Sequence, residues 1–152
     1  MLDSMILIEN KQNKVPVDCA RMQKSVEQIL ENLSYSDFSI AVIFCTDDQM
    51  QEYNLQFRKK DQPTDILSFP FYPDHPAGTR IKARNKDEKI LGDIIIAPFY
   101  VLNDLDRWQQ TLEDRLKTLL VHGICHLLGY DHILDKDYAV MHKEEKRLLD
   151  LL

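Results

Sequence analysis

The 152-residue chain predicts a mixed strand-and-helix fold, an α/β or α+β sandwich with a sheet of about four strands flanked by helices. Four short runs rich in β-branched and aromatic residues alternate with segments whose apolar residues recur at helical spacing. Repeats and low-complexity stretches are absent. A composition of 44% hydrophobic and 29% charged residues is that of a soluble globular protein, and the length suits one domain over residues 1–152.

In chain order, Ser4 to Glu9 reads as a first strand. Pro16 and Asp18 open a helix to about Leu33, with Met22, Val26, Ile29, Leu30 and Leu33 on one stripe. Phe38 to Cys45 is a second strand. Thr46-Asp-Asp-Gln49 has the form of a capping box, and the helix after it buries a side that includes Met50, Tyr53, Leu55 and Phe57. Pro63-Thr64 breaks that segment before a third strand, Asp65 to Phe71. Tyr72 to Lys89 carries two prolines, a glycine and many charges, which predicts a long, mobile loop. Ile90 to Ala97 is a fourth strand, and Pro98 starts a short helix to about Trp108. The longest helix runs from Leu112 to Leu128, burying Leu112, Leu116, Leu119, Leu120, Ile124 and Leu127. Asp135 caps a last helix to Leu152, with Tyr138, Met141, Leu148 and Leu149 inward.

Several function classes fall away at once. No apolar run approaches the roughly 20 residues of a membrane span. Asp3 and the brevity of Met5-Ile-Leu-Ile8 argue against a signal peptide. Cys19, Cys45 and Cys125 are odd in number and scattered, which fits a reducing cytoplasm. A net charge of −6 opposes indiscriminate nucleic-acid binding while leaving room for local basic patches. Arg58-Lys59-Lys60 is one such patch. Arg80, Lys82, Arg84, Lys86 and Lys89 form a second, read as an ordinary solvated loop.

Three of the five histidines fall within His122-Gly-Ile-Cys-His126-Leu-Leu-Gly129-Tyr-Asp-His132. On a helix, positions i and i+4 differ by about 40° in azimuth and about 6 Å in rise, so His122 and His126 share a face. Two imidazole nitrogens so placed converge on one ion at roughly 2.0–2.1 Å. Gly129 lets the helix end in the left-handed conformation, and His132 folds back as a third ligand. Three neutral nitrogens with an open fourth position make a catalytic site rather than a closed structural one. A pair at i, i+4 alone would as readily be solvent-facing or core histidines; the glycine break and the third histidine favour metal. Cys125 lies about 100° round from His126 and reads as a small buried thiol. The spacing resembles the metal scaffold of the metzincin proteases, but Gly123 stands where their glutamate base would be.

Asp65 and Asp93 interrupt otherwise apolar strands, and a buried carboxylate is costly unless paired, hydrogen-bonded or metal-bound. Two readings stand for each. One is a strand end or bulge where the carboxylate bonds backbone amides; the other is a site wall that holds Arg58.

Asn54-x-x-Phe57-Arg58 leads into Pro63-Thr64-Asp65-Ile-Leu-Ser68-Phe69-Pro70, followed by Leu91-Gly92-Asp93-Ile94 and the histidine motif. In this order the motifs resemble the YbeY family of bacterial metal-dependent endoribonucleases, over roughly residues 50 to 133. Cys125 departs from the apolar residue, such as leucine, usual in the family, without touching the ligand positions. The resemblance implies a zincin-like α+β fold, a cytoplasmic location and a zinc-dependent hydrolase that cuts single-stranded RNA. It also implies work on the ribosome or its small subunit: ribosomal RNA maturation, including the small-subunit 3′ end, and ribosome quality control. The family's three metal histidines carry over to His122, His126 and His132, and its motif arginine to Arg58.

That chemistry is self-consistent. Zinc lowers the pKa of a bound water from about 15.7 to about 7. A guanidinium meets the charge that builds on the phosphoryl oxygens, the role expected of Arg58. Asp65, Ser68, Asp93, Asp131, Lys59 and Lys60 are the candidates for outer contacts to the ligands or for substrate contacts. Asp131 either orients a histidine or shapes its turn. Another late divalent ion would also accept three imidazoles. The rival readings are a metal-dependent hydrolase of another substrate class and a non-catalytic, zinc-stabilised ribosome-assembly factor.

Overall fold

A computed structural model describes residues 5–152. Its strands are β1 (Ile6–Asn10), β2 (Ser39–Phe44), β3 (Ile66–Pro70) and β4 (Ile90–Ile96); its helices are α1 (Cys19–Asn32), α2 (Asp47–Arg58), α3 (Pro98–Asn103), α4 (Leu112–Leu127) and α5 (Asp135–Leu149). The sheet order is β1-β2-β4-β3, with β1, β2 and β4 parallel and β3 antiparallel to β4 at one edge. This is the α+β arrangement of a four-stranded mixed sheet flanked by helices.

Side-chain alternation divides the sheet into two unequal faces. Ile40, Val42, Phe44, Ile94 and Ile96 point into the main core, where α1, α4 and α5 bury Val26, Ile29, Leu120, Ile124, Met141 and Leu148. On the other face, Cys45, Leu67 and Ile95 meet Met50 of α2 and Ala97 in a smaller cluster, with Tyr53, Phe69 and Tyr100 packed against it. Gly92 allows two backbones to approach. A Cβ there would lie 2.2 Å from the Phe69 carbonyl oxygen, and its φ of +139° is strained for any L side chain.

Helix ends follow the sequence signals closely. Asp18 caps α1 through the Arg21 amide, and Thr46 with Gln49 forms the expected capping box on α2. Elsewhere the structure departs from expectation. The first strand is shifted to Ile6–Asn10, and Ser4 lies outside the described residues. The helix after Pro98 stops at Asn103 and resumes as a 3₁₀ turn over Leu105–Arg107. The last helix ends at Leu149, not Leu152, and Asp135 is its first residue rather than its cap: Leu134 holds the N-cap position, with no side-chain cap bond.

Three residues expected inside are out: Leu55, Phe57 and Tyr138 are 48%, 55% and 57% exposed. Leu55 sits about 140° round the helix from Met50, so it points away from the sheet that Met50 enters. Phe57 keeps ring contacts with Phe69, 5.0 Å between centroids, and with Tyr53, at 6.4 Å.

The 72–89 segment is anchored. Ile81 is buried, its amide donates to the Tyr35 hydroxyl (2.9 Å), and Arg80 stacks on the Tyr35 ring while donating to the Ser34 carbonyl. Arg80 therefore serves packing.

Candidate metal centre

Helix α4 lies across β3 and β4 on the main-core face. Gly123 makes this approach possible: a Cβ at that position would meet Ile94 Cδ1 at 2.9 Å and Ile66 Cδ1 at 3.1 Å. The position after the first histidine thus faces the sheet, and an acidic side chain there would run into packed isoleucines. The helix then closes in a Schellman motif. The Tyr130 amide donates to the Cys125 carbonyl, the Gly129 amide donates to that of His126 (both 3.1 Å), and Gly129 takes φ +95°. A Cβ on Gly129 would lie 2.1 Å from the His75 carbonyl oxygen, so the 72–89 segment is also seated here.

This turn brings His132 back to His122 and His126. One ligand atom from each lies within 4.8 Å of the others. The Nε2 atoms of His122 and His126 are 3.0 Å apart, near the roughly 3.3 Å edge of a tetrahedron with 2.05 Å bonds. Each of these rings is fixed from behind. His122 Nδ1 donates to Glu145 Oε2 (2.9 Å), and His126 Nδ1 donates to the Tyr130 carbonyl (3.0 Å). A carbonyl or carboxylate can only accept, so both Nδ1 atoms carry the protons and both Nε2 lone pairs point inward. Two facing lone pairs at 3.0 Å repel unless a cation or proton lies between them. Burial, with His122 and His132 as neighbours, depresses the His126 pKa to about 4, so a proton is disfavoured there at neutral pH. The donor set therefore fits a metal ion of the kind that takes three imidazoles.

Nothing in the local sequence marks Glu145 as part of this site, because it lies 13 residues beyond His132 in a different helix. Its only prior signal is its place on α5, and the packing of α5 on α4 brings it to His122. Asp131 accepts the Ile133 amide (3.3 Å) in the turn. Cys125 is fully buried, where desolvation pushes its thiol far above the usual range.

Arg58 is the last residue of α2, exposed, with no hydrogen bond or ion pair among the described residues. The Phe57–Phe69 contact holds this end of α2 against the edge strand β3, and Lys59 and Lys60 are exposed beside it. Neither strand carboxylate holds Arg58. Asp65 accepts the Ile66 amide (2.8 Å) and faces Arg115 Nη2 at 3.7 Å; Arg115 is itself buried and stacked on Trp108. Asp93 is exposed on the sheet face opposite α4, where it lines a groove with Leu7, Ala41 and Lys89. The sequence missed Arg115 because its charge, in a helix read by its leucines, suggested solvent. Ser68 is half-buried on β3, pointing like Ile66 to the α4 face.

The family model for endoribonuclease YbeY matches residues 7–152. The human endoribonuclease YbeY is 30% identical over 147 residues, covering 97% of this chain and 87% of its own. The Thermodesulfovibrio yellowstonii endoribonuclease YbeY is 40% identical over 114 residues, covering 74% of this chain and 66% of its own. The solution structure of a Thermotoga maritima protein superposes with a TM-score of 0.66 at 28% identity, covering 97% of this chain and 88% of that one. With the family model matching nearly its whole length, this chain belongs to the endoribonuclease YbeY family.

Proposed function

We propose that this chain is a single metal-dependent hydrolase domain that cuts single-stranded RNA in the cytoplasm. Its work would be ribosomal RNA maturation at the small-subunit 3′ end and ribosome quality control, with the small ribosomal subunit as partner. One observation carries the hydrolase reading: two imidazoles locked in the Nδ1–H tautomer converge with a third from the far side of a glycine turn. Bound there, one zinc ion, or another late divalent ion, would supply Lewis acidity to a phosphoryl oxygen or to a water.

The chain's own residues supply the rest. Glu145 and the Tyr130 carbonyl keep His122 and His126 oriented and hold their protons on Nδ1. Arg58, free of partners among the described residues, meets the charge that develops on the phosphoryl oxygens, with Lys59 and Lys60 drawing the RNA backbone to the same edge. No carboxylate is required at position 123, since phosphoryl transfer leans on positioning and positive charge.

The test is cleavage of single-stranded RNA by purified protein, alongside metal analysis. Activity should require about one ion per chain and vanish in His126→Ala. Arg58→Ala should lose cleavage by about 10²-fold or more with metal content unchanged. Metal-loaded wild-type protein that leaves RNA intact would end this reading.

A further inference from the structure

Strand β3 is a sheet edge, and its hydrogen-bonding pattern is unusual. The Ala97 amide donates to the Asp65 carbonyl, and the Phe71 amide donates to the Leu91 carbonyl. These bonds flank the register Ile66↔Ile96, Ser68↔Ile94 and Pro70↔Gly92. In an antiparallel ladder bonded residues alternate, so Asp65, Leu67, Phe69 and Phe71 bond to β4, while Ile66, Ser68 and Pro70 turn their main-chain groups outward. The Ile66 amide is already taken by the Asp65 carboxylate (2.8 Å), and Pro70 has no amide hydrogen. The open edge therefore presents one N–H, that of Ser68, and among the described residues nothing accepts from it.

That donor stands beside the metal centre. Gly123, between His122 and His126, packs on Ile66 and on Ile94, the partner of Ser68. Leu127 reaches Gly92, the partner of Pro70. Ser68 is thus level with the turn of α4 that carries His126, with its hydroxyl on the α4 face.

Resting on the endoribonuclease reading above, we propose that the Ser68 amide and hydroxyl are the contact that seats a backbone phosphate of the RNA strand beside the three histidines. A peptide strand is the natural ligand of a sheet edge, but it needs alternating donors and acceptors over several residues, and two of the three donors here are closed. A ribonucleotide needs fewer. Its phosphate accepts from Ser68, and its 2′-hydroxyl donates to an outward carbonyl of Ile66 or Ser68. Those carbonyls would repel a bare anion.

The pair Ser68→Ala and Ser68→Pro tests this. Alanine removes the hydroxyl only; proline removes the amide hydrogen as well. Pro70, of the same outward parity on the same strand, shows that this edge accepts proline. KM for a single-stranded oligoribonucleotide should rise a fewfold in Ser68→Ala and about tenfold further in Ser68→Pro, with metal content and Tm retained. Inorganic phosphate should compete poorly with the RNA. Wild-type KM and kcat in Ser68→Pro would overturn the inference while leaving the nuclease reading intact.

Hydrogen exchange on the unmodified protein gives a route independent of the variants' folding. The Ser68 amide should exchange freely alone and become protected under saturating single-stranded RNA. Unchanged exchange with RNA bound would overturn the inference.

Discussion

His122 and His126 differ from His132 in how they are held, and the difference shows how the centre is built. The first two sit on a helix whose packing is fixed by Gly123, are partly buried, and have their outer nitrogens engaged by Glu145 and the Tyr130 carbonyl. His132 is exposed, lies beyond the helix end and has no such partner among the described residues. Its ring centroid is 5.6 Å from that of His122 and 5.2 Å from that of His126, whereas those two are 4.5 Å apart. Two imidazoles are therefore pre-oriented by the core, and the third is delivered by a turn. Ordering of long side chains costs free energy on binding, and here most of that cost is met during folding.

The sharpest way to break this comparison is to remove one histidine of each kind. His126→Ala should abolish tight metal binding and also lower the Tm of the metal-free protein, because it opens a space under a packed helix. His132→Ala should abolish tight metal binding too, yet leave the metal-free Tm close to wild type, since exposed substitutions change stability by about 0.5 kcal/mol or less. Equal Tm losses in the two variants would mean that His132 is as structurally committed as His126. A smaller effect sharpens the contrast within the anchored pair. Glu145→Gln keeps the size of the side chain and removes its charge, so metal affinity should fall about tenfold to hundredfold in a chelator competition while the ion still binds. No change would show that the helix alone orients His122.

The same contrast explains what could be read from the sequence. The histidine spacing, Gly129 and the four strands are local patterns, and each emerged where the pattern put it within a residue or two. Contacts between distant segments were another matter. Glu145 reaches His122 across 23 residues, and Arg115 reaches Asp65 across 50, through helix packing that no local periodicity encodes. Asp65 was visible as an oddity, yet its partner was not, because an arginine nearer in sequence was the more obvious candidate. Asp93 misled for the opposite reason. The strand is apolar and largely buried as read, but Asp93 is its one exposed residue and faces an open groove, so its carboxylate needed no partner.

The smallest effect concerns protons. The folded-state pKa of His126 is held down to about 4, first by burial and then by its two histidine neighbours, against about 6.5 in an unfolded chain. Between those values the unfolded state binds more protons than the folded state, so stability rises with pH. This contribution is complete above pH 6.5 and is lost as pH falls through the window towards 4. Metal-free wild-type protein should accordingly lose Tm between pH 7 and pH 5, and His126→Ala should lose less over the same interval. His132→Ala, which removes one of the neighbours that hold the pKa down, should fall between the two. Identical slopes in all three proteins would place the pH sensitivity outside the histidine cluster and leave the pre-oriented pair without its proton signature.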